Sequence, residues 1–286
     1  MIKYKKYLNS IKISNCSKKQ LEMTKHKLSQ HLLEKRWILP ITNACNKICG
    51  GCNEMCGLFS KEKIWFLTLE EIERYINLIK NYKKELTIIG GEPTVHPQWN
   101  EIVEILYKHN DIKFRVNTNG RLGHKPFEIP NRDAKNVKYF VDTHPEEQTF
   151  FPGFIAAQDV LRIEDPKFYW EKAKNDCPIW SLEGASIYNN KAYFCENAAA
   201  FDWMYNNGKN GWIIENDKNP FDKTEREISS QAEKFCYRCG WCLYKELNRD
   251  QQKVHEKTIV TETNFKELDK KNLVKIVSLE DIEKND

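Results

Sequence analysis

The stretch Cys45-Asn46-Lys47-Ile48-Cys49-Gly50-Gly51-Cys52 places three thiols within eight residues of a chain of 286 residues. Shortly before it lies the apolar run Trp37-Ile38-Leu39-Pro40-Ile41, which predicts a buried strand. The cysteines therefore lie on the loop that leaves this strand. Thiolates are soft ligands that suit iron–sulfur clusters, and three of them can hold three irons of a [4Fe–4S] cube. The fourth iron would then be open to a small molecule.

A second motif follows about forty residues further on. The β-branched run Leu86-Thr87-Ile88-Ile89 predicts another short strand, and it ends in the turn Gly90-Gly91-Glu92-Pro93. The spacing C-x-x-x-C-x-x-C after a first strand, with a GGEP turn after a second, resembles the signature of the radical S-adenosylmethionine (radical SAM) enzymes. Either motif alone has little weight, but both in this order form a specific pattern.

The resemblance implies a catalytic [4Fe–4S] cluster held by Cys45, Cys49 and Cys52, with SAM bound at the open iron. It also implies that the turn Gly90-Gly91-Glu92-Pro93 holds the amino group of the methionine part of SAM, through its backbone and carboxylate. The sequence departs from the family pattern at Gly51, where an aromatic residue commonly contacts the adenine. Adenine stacking must then come from another residue.

A structural zinc knuckle is the alternative for the first cysteine group. Zinc prefers four closed ligands, and Cys56 could supply the fourth. However, no His lies nearby at finger spacing, and zinc gives no reason for the GGEP turn. We therefore interpret Cys56 as structural or regulatory, because a fourth thiolate would close the open iron.

Composition and charge favour a cytoplasmic protein. No apolar run is long enough to span a bilayer, and the N-terminus lacks the apolar segment of a signal peptide. The ten cysteines are therefore interpreted in a reducing compartment, where clustered thiols indicate metal more often than disulfides. The net charge is +4, although residues 1–36 hold ten Lys and Arg against two acids. We interpret this basic extension as a solvated helical surface.

The remaining pattern alternates helices with strands. Thr68 and Glu71 have the form of a capping box, which predicts a helix running to about Lys84. A second helix is predicted after Pro97 from the spacing of five apolar residues, which are Trp99, Ile102, Val103, Ile105 and Leu106. Further strands are predicted at residues 114–118 and 137–142. Such alternation predicts an α/β fold with a parallel sheet.

In the radical SAM family this sheet curls into a partial (β/α)6 barrel, and the resemblance implies that architecture here. The active groups of such barrels gather at the C-terminal ends of the strands. Asn117 and Asn119 resemble polar positions that reach the SAM ribose or carboxylate, although Asn is also an ordinary turn residue. Asp142 and His144 have the same two interpretations. After residue 142 the pattern fades, which predicts an abbreviated or irregular barrel.

A second cysteine group has the spacing C-x17-C-x40-C-x2-C-x2-C and consists of Cys177, Cys195, Cys236, Cys239 and Cys242. Between its first two members, residues 186–194 predict a β-hairpin with an Asn-Asn turn. A hairpin and a later C-x-x-C turn can together bind a second soft metal centre. A zinc ribbon needs the same four soft ligands and remains the alternative.

This arrangement resembles the twitch domain, the short form of the SPASM extension, which carries an auxiliary [4Fe–4S] cluster. The pattern usually has Gly five residues before its second cysteine, where this chain has Asn190; Asn tolerates a left-handed backbone well. A closed cube needs four ligands, and we expect Cys177, Cys195, Cys236 and Cys239. Cys242 is then spare or substitutes for one of them.

The sequence thus divides into four predicted parts. Residues 1–36 form the basic extension, residues 37–176 the radical SAM partial barrel, residues 177–252 a small α+β cluster-binding domain, and residues 253–286 a polar tail. In the tail, the apolar run at residues 273–277 can add an edge strand or belong to a loose end.

The resemblance implies an oxidoreductase that cleaves SAM reductively and abstracts a hydrogen from a small sugar- or cyclitol-like metabolite. The auxiliary cluster would accept the remaining electron, and flavodoxin or ferredoxin would supply the first one. No membrane is expected as a partner, and nucleic acid is not favoured. The alternatives are a peptide-modifying radical SAM maturase and, in another class, a zinc-stabilised nucleic-acid-binding protein. The cheap discriminating observation is colour, because iron–sulfur protein is brown and zinc protein is colourless.

Overall fold

A computed structural model describes most of the chain between residues 27 and 243, together with two short strands beyond it. The described residues are 27–47, 49, 52–122, 125–126, 135–141, 156–182, 184–243, 258–260 and 276–278. The expectations for residues 1–26, Asp142 and His144 lie outside this set.

The strands of the described residues are β1 (Trp37–Pro40), β2 (Glu85–Ile89), β3 (Lys113–Thr118), β4 (Arg121–Leu122), β5 (Lys125–Pro126), β6 (Val137–Val141), β7 (Ala185–Tyr188), β8 (Lys191–Tyr193), β9 (Trp212–Ile213), β10 (Thr258–Val260) and β11 (Ile276–Ser278). Seven of them form the main sheet in the order β6-β3-β2-β1-β7-β8-β9. Every pair from β6 to β7 is parallel, whereas β8 and β9 pair antiparallel. The predicted parallel α/β sheet is confirmed.

The α-helices of the described residues are α1 (Leu28–Glu34), α2 (Leu69–Ile79), α3 (Trp99–Lys108), α4 (Ala157–Leu161), α5 (Pro166–Asp176), α6 (Pro178–Leu182), α7 (Glu196–Asn206) and α8 (Glu225–Ala232). Short 3-10 turns lie at Cys56–Leu58, Lys61–Lys63, Pro93–Val95, Cys236–Arg238 and Gly240–Leu243. Helices α2 and α3 follow β1 and β2 respectively, as expected where helices connect parallel strands.

Helix α2 begins as predicted and ends earlier than predicted. The Thr68 hydroxyl accepts a hydrogen bond from the Glu71 N–H at 3.2 Å, and the Glu71 carboxylate accepts one from the Thr68 N–H at 2.9 Å. The prediction of a helix to Lys84 is wrong, because α2 stops at Ile79. Tyr82, which would have continued the buried face, is 42% exposed and adds no packing to stabilise another turn. In α3 the five predicted apolar residues are all buried.

The second half of the chain joins the same sheet as the first. The predicted hairpin is confirmed as β7 and β8, and its turn residues Asn189 and Asn190 have φ angles of 44° and 67°. Left-handed values at both positions match the twist of a two-residue hairpin. Trp37 in β1 pairs with Ala185 in β7, and one hydrophobic core extends over both halves. The boundary predicted after residue 176 therefore separates strands that hydrogen-bond in one sheet, and the separate domain stays a prediction.

The predicted tail contributes both strands of a separate pair. Ile276–Ser278 pairs in parallel with Thr258–Val260, and these two strands form their own small sheet. Among the described residues, none of the helices has the length and apolarity required to cross a membrane.

Candidate active site

The first cysteine loop is held against the GGEP turn by backbone pairing that continues past the strand ends. Beyond β1 and β2, the Ile41 N–H donates to the Ile89 carbonyl at 2.9 Å. The Gly91 N–H then donates to the Thr42 carbonyl at 3.0 Å, and the Glu92 N–H donates to the Ala44 carbonyl at 2.8 Å. The two motifs, which lie far apart in sequence, are therefore adjacent at the C-terminal edge of the sheet.

This close pairing explains why the turn contains two glycines. A Cβ on Gly90 would lie 2.7 Å from the Thr42 carbonyl oxygen. A Cβ on Gly91 would lie 2.3 Å from the Ala44 carbonyl oxygen and 2.8 Å from the Cys45 Cβ. Real Cβ atoms do not approach backbone so closely, so any side chain here would displace the cysteine loop.

The chain returns to β1 after the cysteines and closes the loop. The Thr42 hydroxyl donates to the Trp65 carbonyl at 2.7 Å. The Asn43 side chain donates to the Lys63 carbonyl and accepts from the Trp65 N–H, both at 2.9 Å. Because both residues are fully buried, these bonds fix the two stems of the cysteine loop.

Cys45, Cys49 and Cys52 line one cavity of about 540 Å³. The same cavity is lined by Gly90, Gly91, Glu92, Asn117 and Asn119, whereas the predicted SAM contact Pro93 is buried and does not line it. This volume is within the range of small-molecule sites. The three thiols are half-buried, so they face the cavity while the loop backbone remains anchored. The donor set and the space beside it therefore fit a cluster with one open iron.

The thiols of the first group differ in acidity. Burial raises the pKa of Cys45 to about 12. A hydrogen bond from the Cys56 side chain lowers the pKa of Cys52 to about 6, and burial opposes this effect. The same bond raises the pKa of Cys56 well above its ordinary value. Cys56 is thus placed to donate its S–H to a ligand sulfur, which agrees with a structural role.

The Glu92 carboxylate ties the GGEP turn to the end of β3. It is 1% exposed and accepts four hydrogen bonds. Thr94 donates its N–H at 3.1 Å and its hydroxyl at 2.7 Å, the Thr118 hydroxyl donates at 2.7 Å, and the Asn119 N–H donates at 2.7 Å. Charge-assisted bonds of this kind rigidify the turn.

The two predicted asparagines have different surroundings. Asn119 donates to the Asn46 side chain at 2.8 Å, while its own side-chain oxygen accepts the Arg121 N–H at 3.0 Å. The bond with Arg121 agrees with the interpretation of Asn119 as an ordinary turn residue. The bond with Asn46 attaches this turn to the cysteine loop. Asn117 accepts from the Arg115 Nε at 2.8 Å on the cavity wall.

Several charged residues of the cavity were missed by sequence reasoning. Arg36, Arg115, Glu54 and Glu196 all line it. Glu54 is 7% exposed, and neither of its carboxylate oxygens has a hydrogen-bond partner among the described residues. Burial raises its pKa well above the ordinary value, with Glu196 adding to the effect. The available signals were the positions of Glu54 and Glu196 close after cysteines and of Arg36 just before the first strand; Arg115 lies inside β3.

The second cysteine group is gathered around a different cavity. All five members, Cys177, Cys195, Cys236, Cys239 and Cys242, line it together with apolar and aromatic side chains such as Trp180, Phe194 and Trp241. They come from the end of α5, the start of α7 and the two 3-10 turns near residue 240. The topology therefore brings together thiols that are 65 residues apart in sequence.

The thiols of the second group lie in an apolar environment. Burial raises the pKa of Cys195 to about 12, and it raises the pKa values of Cys177, Cys236 and Cys239 as well. Such thiols deprotonate only when a metal replaces the proton. Cys242 differs, since its thiol donates to the Cys239 carbonyl at 3.6 Å. That contact is consistent with a spare position.

A buried cation, Lys35, interacts electrostatically with these thiols. It is 4% exposed, and burial lowers its pKa to about 8, while the charges of Cys195, Cys177, Glu196 and Cys236 oppose this shift. The expectation of a solvated surface is therefore wrong for this residue of the basic extension. Its position two residues before β1 explains its burial, because the strand enters the core at Trp37.

Asn53 connects the two cysteine groups. It follows Cys52 directly, and its side-chain oxygen accepts the Trp241 indole N–H at 2.9 Å. The Asn197 side chain donates to the same oxygen at 3.4 Å, and the Asn53 amide donates to Glu196 at 3.5 Å. Glu196 and Asn197 follow Cys195, so a single side chain contacts the surroundings of both groups.

Within the residues that the structure describes, no three His, Cys, Asp or Glu side chains are grouped so that they could hold a metal ion. A four-iron cube distributes its ligands over separate irons, so its thiols need not converge on one point. Each cysteine group lines one cavity, and this arrangement is the observation that fits a cluster at each group.

Comparison with known families supports the assignment of the first site. Residues 39–141 match the model of the Radical SAM superfamily. No curated protein matches the chain. The matched segment contains the three cysteines of the first group, the GGEP turn and the parallel strands β1, β2, β3 and β6. It ends before the second cysteine group.

The match supports membership of the radical SAM superfamily, and the mixed α/β fold with its mostly parallel sheet fits such a protein. Radical SAM domains bind a [4Fe–4S] cluster and SAM. Members of the superfamily are enzymes that cleave SAM reductively and generally catalyse radical reactions.

Proposed function

We propose that this chain is a radical SAM oxidoreductase that converts an alcohol of a small sugar- or cyclitol-like molecule into a ketone. The observation that supports this proposal is the pairing of two cysteine groups with different cavities. The first group opens onto a cavity of about 540 Å³, and the second is enclosed by aromatic side chains. An open site and a closed one suit substrate chemistry and electron storage respectively.

Cys45, Cys49 and Cys52, which line the first cavity, would hold three irons of the first cluster. When bound, the cluster and SAM supply a 5′-deoxyadenosyl radical and methionine after one electron has been delivered. The backbone of Gly90 and Gly91 approaches the loop closely enough to position the amino group of SAM. Glu92 acts mainly by fixing this turn, because its carboxylate already accepts four protein donors.

Four of Cys177, Cys195, Cys236, Cys239 and Cys242 hold the second centre, as a twitch-like auxiliary [4Fe–4S] cluster. The oxidation removes a hydrogen atom, a proton and an electron from the substrate carbon and its hydroxyl group. With SAM and both clusters bound, the hydrogen atom would go to the deoxyadenosyl group, the proton to solvent or a cavity base, and the electron to the second centre. Asn53 lines the first cavity and Trp241 lines the second. The hydrogen bond from the Trp241 indole to the Asn53 side chain joins the two sites.

The first electron would come from a donor of the flavodoxin or ferredoxin class, and the proposed compartment is the cytoplasm. A peptide-modifying maturase remains the second candidate within the superfamily, and it would be favoured if a peptide were the only substrate turned over.

The test begins with anaerobic reconstitution of the full chain. We expect a brown protein with iron and sulfide near two cubes per chain. With SAM and a strong reductant, it should release 5′-deoxyadenosine. Replacing Cys45, Cys49 or Cys52 with Ala should abolish that product, whereas Cys236→Ala with Cys239→Ala should retain uncoupled cleavage and lose substrate oxidation.

Cys242→Ala is the matched control, because it removes a thiol from the same cavity at the position expected to be spare. A colourless zinc-containing protein, or a cube at the first loop that leaves SAM intact, would overturn the proposal. If the wild-type chain held only one cube, the proposed auxiliary cluster would be wrong, whereas the proposed cleavage of SAM at the first cluster would still stand.

A further inference from the structure

The side chain of Lys35 is buried, and its ammonium group contacts a backbone carbonyl and an aromatic ring. Its side chain is 4% exposed, and its Nζ donates to the Phe194 carbonyl at 3.3 Å. The same ammonium lies 4.2 Å from the centroid of the Trp180 ring. Both partners belong to the wall of the second cysteine cavity. A lysine charge is expensive to bury unless an anionic partner compensates it.

Helix α1 holds Lys35 firmly in this position. The His31 Nε2 lies 2.8 Å from the Trp180 carbonyl, and the two rings are 4.7 Å apart. At the start of the helix, Ser29 donates both its N–H and its hydroxyl to Glu225, at 3.0 and 3.1 Å. The helix is therefore anchored to the second half of the chain, and the lysine that follows it has little freedom.

The charges that face Lys35 belong mainly to the second cysteine group. Its strongest electrostatic partners are Cys195, Cys177, Glu196 and Cys236. Four thiolates around a [4Fe–4S] cube carry a net negative charge that grows when the cube takes up an electron. A fixed positive charge in a low-dielectric environment stabilises the more negative, reduced form.

We propose that Lys35 is a positioning residue whose buried positive charge raises the reduction potential of the second cluster, so that the cluster accepts the substrate electron. This inference rests on the proposed function, because it requires an auxiliary cluster at Cys177, Cys195, Cys236 and Cys239. The negative charge of Glu196 favours a lower potential. Replacing Lys35 with a neutral residue would leave this negative charge without its positive neighbour.

The test compares Lys35→Met with Lys35→Arg in the reconstituted full chain. Both clusters are titrated by potentiometry with electron paramagnetic resonance. In Lys35→Met, the midpoint potential of the second cluster should shift to a more negative value, while that of the first cluster stays unchanged. Lys35→Arg should restore the wild-type potential because it keeps the charge. The first cluster is thus an internal reference in the same molecule.

Lys83→Met is the matched control. Lys83 is also a partly buried lysine on an aromatic ring, 5.5 Å from the centroid of Trp37, and it donates to the Glu34 carbonyl at 3.0 Å. Its partners Trp37 and Glu34, unlike the partners of Lys35, do not line the second cavity. Its removal should leave both potentials unchanged.

An unchanged second potential in Lys35→Met, with two cubes present, would overturn the inference. An equal shift in Lys35→Arg would also overturn it, since a structural contact would then explain the effect. If both Lys35→Met and Lys35→Gln lost the second cube, Lys35 would hold the cluster and not tune it, and the inference would be wrong. Failure of the proposed function is distinguishable, because the wild-type chain itself would then lack a second cube.

Discussion

The first cysteine group and the second one use the same ligand atoms in opposite surroundings. Cys45, Cys49 and Cys52 are half-buried on a cavity that also holds charged side chains, and the strongest charged neighbours of Cys45 are thiols and Glu92. The second group lies among aromatic rings with Lys35 beside it. Negative neighbours favour a low reduction potential, and a positive neighbour favours a higher one.

This difference teaches that the number of thiols is a poor guide to what a cysteine group does. Under the proposed function, access and charge would distinguish a centre that donates an electron to a small molecule from one that receives an electron. Here both properties come from elements outside the cysteine motifs, namely the GGEP turn at the first group and helix α1 at the second. The following changes test that comparison, in order of the expected effect.

Gly91→Ala should have the largest effect and should be confined to the first site. The new Cβ would lie 2.3 Å from the Ala44 carbonyl oxygen, so the cysteine loop must move. We expect loss of 5′-deoxyadenosine formation with retention of one cube. Gly208→Ala is the control for backbone strain without a steric clash: its φ of 73° disfavours Ala, but the Cβ would meet nothing closer than 3.4 Å, so it should retain SAM cleavage. Full SAM cleavage by Gly91→Ala would break the link between the turn and the loop.

Glu92→Gln should destabilise the first site without affecting the second. The carboxylate accepts four hydrogen bonds in a buried position, and one amide group cannot accept all of them. We expect a loss of about 2 kcal/mol in the free energy of unfolding, measured with urea. Asn117→Asp, on the same cavity wall, is a comparison variant that leaves these four bonds in place. An unchanged unfolding midpoint in Glu92→Gln would contradict the role assigned to the carboxylate.

Cys56→Ala should shift the potential of the first cluster to a more negative value and leave its iron content unchanged. The reason is that the Cys56 side chain donates a hydrogen bond to Cys52, and such bonds stabilise the reduced cluster. Cys56→Ser keeps a donor and should show a smaller shift. Loss of the first cube in Cys56→Ala would instead make Cys56 a ligand, which would remove the open iron from the comparison.

The smallest effect concerns pH and His96, which lies at the end of the GGEP turn. Its Nε2 donates to the Leu67 carbonyl at 2.9 Å, its Nδ1 accepts the Gln98 N–H at 3.1 Å, and burial lowers its pKa below 6.5. The unfolded chain therefore binds the proton at a higher pH than the folded chain. Stability should be full above pH 6.5 and should fall as the pH decreases below that value.

The measurement for His96 is the urea midpoint as a function of pH. The variant His96→Gln should show a smaller decrease below pH 6.5 than the wild-type chain. Equal decreases in the two proteins would assign the pH dependence to other groups.

Much of the first site was predictable from the sequence, because its signals are local. The thiol spacing of Cys45, Cys49 and Cys52, the capping box at Thr68 and the Asn189-Asn190 turn depend on neighbouring residues alone. The end of α2 was not predictable, because the exposure of Tyr82 depends on how the surrounding elements pack. The burial of Lys35 was missed for the same kind of reason.

The sequence by itself determined the donor chemistry, the strand–turn pattern and the match of residues 39–141 to the Radical SAM superfamily, since these reside in residue type and spacing. Only the tertiary structure decided which distant residues share a cavity. It placed Cys177 beside Cys242, and Asn53 between the two groups. Contacts of this kind depend on how the strands are ordered in the sheet, and that order is set by packing over the whole chain.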